Sequence, residues 1–206
     1  MISMPVNDVD ELPVWDPLVR LFHWTLLLGF CAAWFSEGEL FEGLADRFDG
    51  EVMQFVHVSA GYTIAGLLSF RLLWGFVGSS HARFSDFVFS PPVVLAYLRE
   101  VLTLRARRYL GHNPAGGAMI VALLLGLTAT VFTGLALYAA DQGLGPFAGL
   151  LVGSSEALID WIKEAHEVAT NFTLLLIAGH LVGVLWESLL HRENLVRAMI
   201  TGRKRA

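Results

Sequence analysis

The stretch from His166 to His180, HEVATNFTLLLIAGH, carries two imidazoles through a run that is otherwise mostly apolar or small. At helical spacing its fourteen-residue separation makes about 3.9 turns and roughly 21 Å of rise, so both rings fall within about 40° of each other on one face. A histidine at membrane depth is costly and is by default a functional-site signal. Two more, His23 and His57, sit in other apolar segments of the chain. Four such residues, two of them stacked along one stripe, imply two metal centres at two depths.

Composition sets that helix in a bilayer. The chain has 206 residues, 55% hydrophobic and 16% charged, with a mean hydropathy of +0.58; a soluble domain carries roughly 25% charged residues. Four segments are long enough to cross about 30 Å of hydrocarbon: residues 18–35, 52–77, 117–140 and 166–190. Residues 1–17 form a polar lead, 18–190 the membrane domain and 191–206 a basic tail. No nucleic-acid partner is expected of such a chain; membrane lipid is.

Lys and Arg give the orientation. The connection between the second and third spans holds Arg83, Arg99, Arg105, Arg107 and Arg108, and the tail holds Arg192, Arg197, Arg203, Lys204 and Arg205. The other two connections hold Arg47 and Lys163, and are rich in acids from Glu37, Glu39, Glu42, Asp46, Asp49 and Glu51 to Asp141, Glu156, Asp160 and Glu164. The positive-inside rule therefore puts both termini in the cytoplasm. The N-terminus does not read as a cleaved signal, since it lacks a basic leader and carries Asp8, Asp10 and Glu11. Cys31 is the single cysteine, so there is no internal disulfide and no C-x-x-C-H site for covalent haem.

Asp16 and Pro17 suit the cap and first turn of the first span, and Trp15 suits a membrane interface. Pro91-Pro92 opens a segment, residues 92–109, whose apolar and basic residues predict an amphipathic helix on the cytoplasmic surface or a docking helix for a partner. Gly111-His112-Asn113-Pro114 is a turn before the third span, which contains no histidine. The connection 141–165 has a short apolar stretch, too short for a fifth span.

Depth pairs the histidines. The first span enters from the cytoplasm, so His23 lies toward the inner side. The second and fourth enter from outside, which places His57 and His166 toward the outer side and His180 about four turns further in. Bis-imidazole ligation from facing helices is how helix bundles commonly hold a haem, so His57 pairs with His166 and His23 with His180. Tetrahedral zinc or copper is a weaker alternative, because its ligands belong at one depth. His81, His112 and His191 are read either as ordinary interfacial residues or as proton exchangers beside a quinone. Arg20, Arg71 and Lys163 either pair with haem propionates or snorkel to lipid headgroups.

Four motifs then resemble a known family. Trp15-Asp16-Pro17-Leu18-Val19-Arg20-Leu21-Phe22-His23-Trp24 is similar to the first helix of the bacterial cytochrome b561 and nickel–iron hydrogenase b-type cytochrome family. His57-Val58-Ser59-Ala60-Gly61-Tyr62 resembles its second helix, and Gly111-His112-Asn113-Pro114 its entry to the third. His166-Glu167 followed by His180 matches its fourth. The resemblance covers residues 13–205. It implies an all-α integral membrane four-helix bundle with two b haems, in the bacterial inner membrane, passing electrons between a partner on the periplasmic side and the quinone pool.

The expected function is thus a di-haem electron conduit, an electron-transfer oxidoreductase subunit whose partner is a hydrogenase-like enzyme or a c-type cytochrome. A self-sufficient quinone oxidoreductase reacting with a small donor such as superoxide shares the fold and ligands. A non-redox transporter or assembly factor, its histidines carrying protons, is the third reading. Trp-rich lipid-facing helices often pair, so a homodimer is compatible with the chain.

Overall fold

Pro17 starts the first helix because its fixed φ suits the first turn and its missing N–H has no helical partner there. Asp16 caps it, accepting the Val19 backbone N–H at 2.9 Å. The computed structural model describes residues 11–37 and 49–206. In it α1 runs Pro17–Glu37 and α2 Gly50–Val77. A 3-10 turn at Ser80–Ala82 and the one-turn α3, Phe84–Phe87, lead to α4, Pro91–Leu102. Then follow α5, Pro114–Gln142, the short α6, Ala148–Leu151, α7, Glu156–Leu190, and α8, Leu195–Thr201. Strands β1, Glu11–Pro13, and β2, Arg203–Arg205, pair antiparallel. Helices α1, α2, α5 and α7 are long and apolar enough to cross a membrane, and the fold is all-α apart from the small strand pair. The first ten residues, and the loop acids Glu39, Glu42 and Asp46 with Arg47, lie outside the described residues.

Two boundaries differ from the sequence expectation. The helix that carries the fourth span begins at Glu156, ten residues before His166. Its charged first turns read as loop, but Ile159 and Ile162 continue the helical period and Ile162 is buried. The amphipathic helix α4 stops at Leu102 instead of running to 109. Leu104 takes the left-handed conformation at φ 58, and the Arg105 N–H turns back to the Glu100 carbonyl at 2.8 Å. That closure ends a helix in the manner usual for glycine. At the entry to α5, Asn113 accepts the Gly116 N–H at 2.7 Å with Pro114 in the first turn, as its sequence suggests.

The chain divides into two compact units. One comprises residues 21–37, 49–73 and 120–178 and contains part of every long helix. Phe30 of α1, Ile64 and Leu68 of α2 and Leu127 of α5 form its buried core, with Leu174 and Ile177 of α7 packed against them. Its outer surface stays apolar, as in Phe55, Leu125 and Leu175, which suits lipid.

The other unit comprises residues 11–20, 74–119 and 179–206 and is held by polar contacts. Asp16 Oδ2 accepts from Ser79 Oγ at 2.5 Å and from Trp74 Nε1 at 3.2 Å. Glu193 lies 2.9 Å from Arg108 and 3.3 Å from Lys204. Lys204, only 6% exposed, also donates to the Tyr109 carbonyl at 3.0 Å. Tyr97, equally enclosed, donates to Glu187 at 2.9 Å. Burial, reinforced by the Glu187 charge, pushes its hydroxyl pKa up.

Burial works against the charge of Asp16, but hydrogen bonds from Ser79, the Val19 N–H, Trp74 and the Leu18 N–H outweigh it and hold the carboxyl below the usual aspartate value. A depressed folded-state pKa contributes stability that is complete above the ordinary aspartate range and is lost as pH falls through the depressed value. Asp16→Ala should therefore cost about 1 kcal/mol for the cap and roughly 1–3 kcal/mol more for the donors left without this acceptor. A thermal melt in detergent at neutral pH measures it, and Asp16→Asn should recover the cap portion.

Candidate metal centre

The unit built from residues 21–37, 49–73 and 120–178 brings two of the four expected ligands together. His57, in the second turn of α2, and His166, in the third turn of α7, stand with ring centroids 6.2 Å apart and planes at 84°. Both rings are half-buried.

Their inward nitrogens are settled by what surrounds them. His57 Nδ1 lies 3.0 Å from the Ala33 carbonyl of α1. A carbonyl only accepts, so the proton is on Nδ1 and Nε2 keeps its lone pair. Ser36 supports this contact, donating its hydroxyl to the same carbonyl at 2.9 Å and lying 3.4 Å from His57 Nδ1. On α5, the Thr133 hydroxyl has one proton, directed to the Ala129 carbonyl at 2.8 Å or the Thr130 carbonyl at 3.0 Å. Its oxygen is left to accept from His166 Nδ1 at 3.0 Å. Both imidazoles thus carry the tautomer with Nε2 as donor atom to a metal, each oriented by a hydrogen bond on its other nitrogen, as metal-ligating histidines usually are.

The residues present fit a haem. With metal–imidazole bonds of about 2 Å, a ring-centre separation of 6.2 Å would leave room for one iron held by both rings. Among the described residues no group of three or more His, Cys, Asp or Glu is placed to hold a metal ion. An apposed pair of imidazoles is the donor set that bis-histidine ligation of a haem would use. One turn on from His57, a side chain at Gly61 would meet nothing within 4 Å, so that flank of α2 is open beside the ring.

Small residues on α5 let α7 come close. Gly126, Thr130 and Gly134 recur every fourth position, a small-xxx-small stripe of the kind that packs membrane helices. A Cβ at Gly134 would sit 2.9 Å from His166 Cε1, and one at Gly126 would sit 2.9 Å from Thr173 Oγ1. Thr130 and the fully buried Thr173 hydrogen-bond across the helices at 3.1 Å. Sequence reasoning passed over Ala33, Ser36, Thr133 and this stripe. The signal was available in G-x-x-x-T-x-x-x-G at 126–134, on the one span without a histidine.

His23 is half-buried on α1 in the same unit, its ring 5.1 Å from Trp24. His180 is half-buried on α7 and belongs to the other unit. Of the remaining histidines, His81 lies 2.9 Å from Asp86 and His191 lies 3.1 Å from Glu187 one turn back on α7. The His112 ring packs 4.5 Å from Trp15 and 5.1 Å from Phe87, so Trp15 serves a contact within the protein. Arg20 Nη1 donates to the Ile200 carbonyl at 2.5 Å. Arg71 is 4% exposed and is enclosed by protein rather than reaching headgroups, whereas Lys163 is exposed.

Four apolar spans with an apposed imidazole pair among them describe a membrane protein equipped to carry a metal cofactor. The chain belongs to the prokaryotic cytochrome b561 family, which it matches over residues 14–202. It is 26% identical to a protein of Rhodobacter capsulatus described as "Probable Ni/Fe-hydrogenase B-type cytochrome subunit", with 93% of this chain and 80% of that relative aligned. Relatives with the same description in Azotobacter chroococcum mcd 1 (28% identical) and Azotobacter vinelandii (27%) align over 92% of this chain and 86% of their own length. No solved structure matches. Membership makes the chain a multi-pass membrane cytochrome of the b type, an electron-transfer protein that carries haem b.

Thr133→Val keeps both imidazoles but removes the acceptor for His166 Nδ1–H. Loss of such an outer partner typically costs 10–100-fold in affinity for the metal group. Titration of haem into the cofactor-depleted variant, read by its absorbance, should show a weakening of at least about tenfold relative to the native chain.

Proposed function

We propose that the chain is a di-haem conduit, carrying electrons between a redox partner on the outer face of the bacterial inner membrane and quinone within the bilayer. The observation that carries this reading is the His57–His166 pair, 6.2 Å apart with each Nδ1 engaged elsewhere. His57 and His166 would hold the outer haem and His23 and His180 the inner one. In support of the second pair, His180 lies on the same face of α7 as His166, roughly 21 Å along it. The partner we assign is a nickel–iron hydrogenase-like enzyme, on the strength of the relatives' descriptions.

When bound, the haem iron supplies the one-electron chemistry, which is the cofactor's own. The chain's residues do the rest. The Ala33 carbonyl and Thr133 hydroxyl fix the two rings and keep their protons on Nδ1, away from the ligating nitrogen. Phe30, Ile64, Leu68 and Leu127 give the same unit a buried apolar core, and a dry surrounding strengthens every electrostatic effect on a redox group. Two centres stacked across the membrane let charge movement work with or against the membrane potential, at about 2.3 kcal/mol per charge per 100 mV. The membrane domain is assigned to 18–190, with the lead and the basic tail in the cytoplasm; Arg and Lys in the second connection and the tail support that orientation.

A dithionite-reduced minus oxidised spectrum of the purified chain, with haem quantified as pyridine haemochrome, tests the reading. Two low-spin b haems per chain are expected, falling to about one in His180→Ala and in His57→Ala. Two haems retained in His180→Ala would refute the pairing, and a native chain with none would refute the conduit. For the orientation, a C-terminal fluorescent-protein fusion should light up and a C-terminal alkaline phosphatase fusion should be inactive.

A further inference from the structure

Past the end of α7 the chain doubles back around a cavity of about 220 Å³. Arg192, Arg197, Arg203, Lys204 and Arg205 line it, against the two carboxylates of Glu11 and Glu193. Those carboxylates are already committed. Glu11 lies 3.1 Å from Arg197, and Glu193 is shared between Lys204 and Arg108, which approaches from outside the cavity lining. Arg205 Nη2 donates to a neutral acceptor, the His191 carbonyl, at 3.3 Å. Neither Arg192 nor Arg203 has a carboxylate partner among the described residues. Three guanidiniums thus face one concave space without a compensating charge among the described residues.

Guanidinium forks match phosphate oxygens better than any other side chain does. The cavity's depth selects the source of the phosphate. Arg192 comes just after Leu190, the last residue of the span, where hydrocarbon gives way to headgroups. Helix α8, which lines the cavity through Arg197 and Ala198, leaves Val196 and Ile200 exposed, apolar surface suited to acyl chains. A zwitterionic headgroup would bring its own cation against the same guanidiniums, whereas an anionic one would not.

We propose that this cavity binds the phosphate of an anionic phospholipid through Arg192, Arg203 and Arg205, with Val196 and Ile200 against its acyl chains. The bound lipid neutralises the cluster and ties β2 and the end of α7 to the membrane surface. This assignment is independent of which residues ligate haem.

The test uses the full chain, carrying its cofactor, in phosphatidylcholine nanodiscs with or without phosphatidylglycerol. Native mass spectrometry counts retained lipid and a thermal melt reads stability. The native chain should retain phosphatidylglycerol selectively and melt at a higher temperature when it is present. Arg192→Gln with Arg203→Gln, side chains outside the structural ion pairs, should lower that selectivity by roughly tenfold or more, the attraction of two basic residues at a membrane surface. Arg99→Gln with Arg105→Gln removes the same charge from exposed positions outside the cavity and should lower it clearly less, by no more than the general attraction of surface charge. Equal loss in both double variants, no loss in the first, or no stabilisation of the native chain by phosphatidylglycerol would overturn the proposal. Inorganic phosphate that displaces the lipid at millimolar concentration would overturn the lipid assignment in favour of a soluble ligand.

Discussion

An imidazole carried into hydrocarbon has two nitrogens, and neither can be left without a partner, because lipid supplies none and an unsatisfied polar group there costs several kcal/mol. At His57 and His166 the demand is divided. Nδ1–H goes to oxygen on a neighbouring helix, the Ala33 carbonyl or the Thr133 hydroxyl, and Nε2 keeps its lone pair. The division is economical in sequence. A carbonyl already bonded within its helix has a second lone pair to offer, so α1 needs no special residue to orient His57. A threonine on α5 needs one hydroxyl, since its proton returns to its own helix and its oxygen faces outward.

The close approach of α5 to α7 follows from the same requirement. Thr133 reaches His166 Nδ1 at 3.0 Å only if the backbones are near, and a Cβ at Gly134 would collide with the ring. Without a hydrophobic force between helices in lipid, such packing relies on van der Waals fit and interhelical hydrogen bonds. Gly126 and the Thr130–Thr173 bond supply both one and two turns along the stripe. A helix without a histidine is in this sense as necessary to the imidazole pair as the two that carry it.

That asymmetry explains what could be read from the chain alone. Span number, the capping of α1 by Asp16 and the turn into α5 are local properties, set by composition and by residues within four positions of each other. The four histidines stand out because polar groups in apolar runs are few. Family resemblance adds the haem. The partners of Nδ1 are different in kind. Ala33 contributes a backbone atom, invisible to residue identity, and Thr133 is one of three threonines in α5, all of which bond back to their own helix. Only the three-dimensional apposition of α5 and α7 distinguishes it. The start of α7 is hard to read from the sequence for the opposite reason. Charge in the segment from Glu156 to Lys163 reads as loop, although a helix can leave the bilayer with its period intact.

The second unit solves the polar problem by other means, and the contrast is physical. Glu193 is held below the usual glutamate range because, although burial opposes its charge, Arg108 and Lys204 together more than restore it. Lys204 is lowered as well, burial outweighing the single carboxylate it shares. A shared anion can satisfy itself without satisfying both cations, and the excess positive charge is then a property of the arrangement rather than of any one residue. Within the apolar unit such an imbalance would be intolerable. At the end of a span, beside anionic headgroups, it becomes an attraction. The basic residues that the positive-inside rule reads as cytoplasmic would then also serve, on the lipid assignment proposed above, to hold the terminal strand pair to a membrane surface.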